Sequence, residues 1–134
     1  MVSDSQCTVN GLSFSSKKLF RIAGCVVGMA GNTNRFAEFV RQLESFDGDL
    51  TRLTNPSKDD SAEFRALVIR EGMLYHIGDD FEVDFVDSKV FAIGSGAAHA
   101  LTAFDCGKSL QDCVRLAAKR DSNTALPLQA LKAA

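Results

Sequence analysis

Read as alternating apolar and polar positions, the chain resolves into short strand-like runs separated by helical stretches. Residues 1–7 alternate, with Val2, Asp4 and Gln6 opposite Ser3, Ser5 and Cys7, which predicts a strand. Residues 8–16 are rich in Ser, Asn and Gly and predict a loop. KKLFRI at 17–22 and the apolar CVVGMA at 25–30 flank Ala23-Gly24 and predict a hairpin. Gly31-Asn32-Thr33-Asn34 ends that run and offers helix N-caps. Over 34–46, Phe36, Phe39, Val40 and Leu43 share one face, which predicts an amphipathic helix. Residues 47–62 are polar and predict a loop, 64–69 and 73–77 a second hairpin about the turn 70–72. Phe81, Val83 and Phe85 alternate with Glu82 and Asp84 as a further strand.

The last third carries a strand-like run, 90–93, that stops at Gly94-Ser95-Gly96. Two helical patterns follow, broken at Gly107. Ala97, Ala100, Leu101 and Phe104 share a face in the first, and Leu110, Cys113, Val114 and Ala117 in the second. Their small residues predict close packing on a sheet, and residues 126–131 predict a final strand. Helices set apart from runs of antiparallel strands give an α+β chain with helix layers packed on sheet. The length of 134 residues fits one domain, 1–134.

Composition narrows the function classes. A net charge of -2 with scattered Lys and Arg gives no reason to expect nucleic acid. No apolar run approaches the roughly 20 residues that span a bilayer, so no membrane partner is expected. Cys7, Cys25, Cys106 and Cys113 form no CxxC pair, which predicts free thiols, no metal and a reduced, cytoplasmic setting. Gly94-Ser95-Gly96 lacks the spacing of a phosphate-binding loop, so no nucleotide cofactor is expected. His76 and His99 have no partner pattern of the Ser–His–Asp or metal kind and read as structural.

Four segments taken in order, Ser3-Asp4-Ser5, KKLFRI at 17–22, VGMAG at 27–31 and the block from Gly94-Ser95-Gly96 to Arg120-Asp121-Ser122, resemble the proteasome β-type subunits and their HslV-like relatives. The resemblance implies an N-terminal nucleophile hydrolase-like fold, a four-layer α/β/β/α sandwich of antiparallel sheets. It implies threonine-type endopeptidase chemistry on protein or peptide substrates within a homo-oligomeric ring, with an ATP-dependent unfoldase as a further partner. Such chemistry uses an amino-terminal threonine hydroxyl as nucleophile and its own α-amine as base. By position, Asp4 and Lys18 would be the supporting aspartate and lysine, and Gly28 the oxyanion donor. Ser95, Asp121 and Thr124 would be the polar group near the amine. No cofactor is implied.

The nucleophile itself is not in this sequence. Only Met1, Val2 and Ser3 precede Asp4, and Thr8 is internal, without a free amine. The expectation is a sandwich lacking its first strand and an inactive chain as written, its start placed too late. The alternative is a non-catalytic structural or assembly subunit of such a ring.

Overall fold

The computed structural model describes residues 1–4, 6–9, 12–15, 17–55, 63–88, 90–122 and 129–130. Its central element is a five-stranded antiparallel meander in the order β4-β5-β6-β7-β8. Two short pairings precede and flank it. β1 (Val2–Ser3) pairs with β9 (Gln129–Ala130), and β2 (Gln6–Val9) with β3 (Leu12–Ser15). The loop expected over 8–16 is thus largely a hairpin, whose register places Val9 opposite Leu12. The missed signal is Asn10-Gly11, the dipeptide that two-residue hairpin connections favour.

β4 (Leu19–Ile22) and β5 (Cys25–Gly31) form the expected hairpin. Ala23 and Gly24 both take positive φ, 49° and 77°, the geometry of a tight turn that follows the strand twist. β6 (Phe64–Arg70) and β7 (Met73–Ile77) repeat it through Glu71 and Gly72, at 52° and 76°. β8 (Val83–Phe85) closes the sheet.

β5 is apolar on both faces because both faces are covered. Cys25, Val27 and Met29 meet Phe39 and Leu43 of α1 (Thr33–Ser45) in the main core, with Phe64, Ala66, Val68, Ile77 and Phe81. Phe64 is its centre, with ring centroids 5.3 Å from Phe39, 5.1 Å from Phe81 and 6.1 Å from Phe36. Phe81 holds its place at φ 59°, a conformation that bulky residues rarely adopt.

On the second face lie Leu19, Val26 and Leu67, all buried, and beyond them the β1–β9 pair. The Met1 thioether sits so close to Gly28 that a Cβ there would be 2.7 Å from the sulfur. α2 (Ala97–Asp105) and α3 (Leu110–Arg120) pack on each other, and α3 on β1. The order is α1, five-stranded sheet, β1–β9 pair, then α2 and α3: four layers, as expected. The two helices do not close onto the five-stranded sheet. Their small-residue faces instead line a cavity of about 970 Å³ facing Leu67, Ile69 and Leu74. Residues 90–93, expected as a strand, run through this wall without entering a ladder among the described residues. The strand expected over 126–131 is described only as β9, the rest lying outside the described residues.

Truncating the central ring tests this core. Phe64→Ala should cost about 3–5 kcal/mol, read as a lower midpoint in chemical denaturation with an unchanged slope.

Candidate functional site

Lys18 and Asp4 are neighbours in space only because two strands deliver them. Asp4 follows β1, and Lys18 precedes β4, its carbonyl accepting the Met29 amide at 3.3 Å. The Lys18 Nζ lies 2.7 Å from Asp4 Oδ1, with the two side chains 18% and 12% exposed. Desolvation offsets much of the attraction in a pair this shielded, but removing one partner leaves the other charged in a place poor in water, which costs more than breaking a surface pair. The Ser3 hydroxyl donates to the Asp4 carbonyl at 2.8 Å.

The same cavity receives Ser95. Its hydroxyl donates to Asp121 Oδ2 at 2.5 Å, tying the glycine turn before α2 to the end of α3. The neighbouring Gly94 packs at the end of β5, where an added Cβ would stand 3.7 Å from that of Ala30. Of the expected site residues, Asp4, Lys18, Gly28 and Ser95 therefore line one cavity, and Asp121 is held to it through Ser95. Thr124 lies outside the described residues.

Gly28 does not have the geometry expected of an oxyanion donor. Amides along an antiparallel strand point alternately to its two neighbours. The Met29 amide turns to β4, bonding Lys18, so the Gly28 amide turns the other way, into the ladder with Leu67 of β6. What Gly28 provides is space for the Met1 side chain. By the same alternation the Gly31 amide turns to the Lys18 side, one step past the Met29–Lys18 bond. Gly31 has φ 106°, and a Cβ would stand 2.4 Å from the Glu63 carbonyl oxygen, so the position admits only glycine. Counting residue parity from the hairpin turn at Ala23-Gly24 would have separated the two glycines in advance.

Other titratable groups lie away from the cavity or on its wall. His76 Nδ1 is 3.9 Å from Asp84 Oδ2, and its ring packs 5.7 Å from that of Phe91; His99 is exposed on α2. Cys113 reaches the cavity wall, where burial first and then Asp112 raise its thiol above the ordinary value and disfavour a thiolate. The Met1 amine is in the cavity too, lowered first by burial and then by Arg21. No group of three or more His, Cys, Asp or Glu side chains is placed to hold a metal among the described residues. No helix is long and apolar enough to cross a membrane among those residues.

Breaking the Lys18–Asp4 pair from either side should cost about 1.5–3 kcal/mol, since a charged partner is left behind in a shielded place. Lys18→Met and Asp4→Asn together should cost less than the sum of the two. A denaturation double-mutant cycle with no coupling would remove the pair from the account.

No protein-family model matches the sequence, and no curated protein does. Solved structures match over nearly its whole length. HslV from Trypanosoma brucei is similar at 21% identity and a TM-score of 0.76, covering 96% of this chain and 88% of that one. BPH of Thiobacillus denitrificans is similar at 18% identity and a TM-score of 0.69, with the same coverage. A structure of that protein in complex with epoxomicin is similar at 16% and 0.68. The chain thus has the fold of HslV, with helix layers packed about antiparallel strands as its sequence implied.

Proposed function

We propose that this chain is a subunit of a proteasome- or HslV-like threonine-type endopeptidase that acts on proteins or peptides within a ring. The observation that carries the reading is the Lys18–Asp4 pair at 2.7 Å, shielded from solvent in the cavity that also holds Ser95. An ammonium held at that place lowers the free energy of an alkoxide beside it, and Asp4 keeps the ammonium aimed rather than wandering.

The chemistry that would use this arrangement is peptide-bond cleavage by a hydroxyl at a free amino terminus. The hydroxyl oxygen attacks the substrate carbonyl carbon while its proton passes to the adjacent α-amine. A backbone amide, for which Gly31 has the better orientation, receives the charge on the carbonyl oxygen. The C–N bond then breaks, the proton goes to the leaving amine, and water hydrolyses the ester to free the acid. The Ser95–Asp121 pair would supply polar contacts near that amine. Residue 1 is methionine and residue 2 valine, so the attacking hydroxyl is not at either position. The ring, an ATP-dependent unfoldase and a cytoplasmic setting belong to this reading as its implied partners and location.

A second reading, a non-catalytic structural or assembly subunit, is favoured by one observation. The Met1 side chain is seated against Gly28 on the cavity wall.

The test is a form extended upstream by one strand beginning with Thr, compared with the chain as it stands. The extended form should cleave peptide substrates and the 1–134 chain should not. Lys18→Ala in the extended form should lower kcat/KM by about 10²-fold or more. Full turnover by that variant would refute the role of Lys18. An amino terminus beginning with Thr in the native protein, read by mass spectrometry, separates the enzyme from the scaffold.

A further inference from the structure

The corner where β5 ends and α1 begins is held by a single peptide plane whose other side is gripped by a carboxylate from a distant loop. β7 ends at Ile77, so the amide of Phe64, which points to that side of β6, has no further ladder partner. Asp79 stands at the register position opposite Phe64 and fills the vacancy with its side chain. Its Oδ1 accepts the Phe64 amide at 2.8 Å and the Arg65 guanidinium at 2.7 Å. The carbonyl of that same 63–64 peptide points the other way, toward β5. It accepts the Asn32 amide at 2.7 Å and occupies the space that a Cβ on Gly31 would need. The Asp79 backbone carbonyl adds a third tie, accepting from Arg35 of α1 at 3.3 Å.

A peptide unit is planar and stiff, so turning its N–H turns its C=O. A carboxylate on the N–H side also polarises the plane and strengthens the carbonyl as an acceptor. We infer that Asp79 is a positioning residue. Through the 63–64 peptide it sets the orientation of the Gly31–Asn32 corner, and with it the amide aimed at the Lys18 side of the cavity. Its relevance to catalysis rests on the peptidase reading above; its control of the corner does not. The loop that carries Asp79 is itself pinned, with Phe81 in the aromatic core and the Gly78 amide bonded to the Glu82 carbonyl at 3.0 Å. A movement of that loop would therefore reach the site through one hydrogen-bonded plane.

The test uses the 1–134 chain and amide-resolved NMR. Asp79→Ala should speed hydrogen exchange of the Phe64 amide by about tenfold and shift the Gly31 and Asn32 amide resonances. Asp79→Asn retains an acceptor oxygen and should restore both. Arg65→Ala removes the ion pair but not the Phe64 bond and should leave them in place. Unmoved Gly31 and Asn32 resonances in Asp79→Ala, or an Asn variant as disturbed as Ala, would overturn the assignment. Should Asp79→Ala fail to fold, Asp79→Ser, whose hydroxyl falls short of Phe64, carries the same expectation. In the Thr-headed extended form, Asp79→Ala should lower kcat by about tenfold with KM nearly unchanged, because the corner acts on the transition state. An extended form without any activity would sink the peptidase reading while the resonance shifts still decide the role of Asp79.

Discussion

Burial of β5 on both faces is the constraint from which the other features follow. Its odd-numbered side chains, Cys25, Val27 and Met29, are committed to the core under α1. Its even-numbered positions, Val26, Gly28 and Ala30, face the second layer. A strand enclosed in this way cannot slip by one residue without exchanging the two sets. Fixed register then fixes which amides point where, and the chemistry available at the end of the strand is a consequence of that parity. Lys18 is delivered by the same ladder, through its carbonyl bond to Met29.

Much of the fold was legible because this register is written in composition. The unbroken CVVGMA run marks a strand covered on both sides, and the face formed by Phe36, Phe39, Val40 and Leu43 marks the helix that covers one of them. The second hairpin follows the same logic, with Arg70-Glu71-Gly72 as its turn. The misreadings arise where local pattern and tertiary context part. Residues 8–16 look like a loop because their polar side chains hide a ladder signalled only by Asn10-Gly11. Residues 90–93 are apolar enough for a strand, yet their side chains line a cavity wall and their backbone joins no ladder among the described residues. Apolarity reports burial there, not pairing.

The site was legible in part for a different reason. Asp4 and Lys18 are fourteen positions apart and only their side chains meet. No periodicity announces such a contact; it is visible in the sequence only through resemblance to a family that uses it. Ser95 and Asp121 are further apart still and are joined by the antiparallel return of α2 and α3. Asp79 was not singled out at all, since an aspartate in the turn Gly78-Asp79-Asp80 reads as turn chemistry. Its meaning depends on where β7 stops, which the alternation of apolar residues does not resolve to a single position.

The contrast between Gly28 and Gly31 shows why residue type alone could not settle which amide faces the Lys18 side of the cavity. Both are glycines of one strand, three residues apart, and both lie on the cavity wall. Three is an odd number, so their amides point to opposite sides. Gly28 is small because a methionine side chain crosses it, and Gly31 because a backbone carbonyl does. The first is a packing demand, shared with Leu19, that different side chains at positions 1 and 19 would relax. The second is a backbone demand, and no side-chain change elsewhere removes it. In the proposed chemistry the donor amide would have to hold its direction while charge develops beside it, which favours the residue whose conformation is dictated by main chain on both sides. Gly31 meets that condition, because the carbonyl that excludes its side chain also accepts the amide of Asn32 immediately after it.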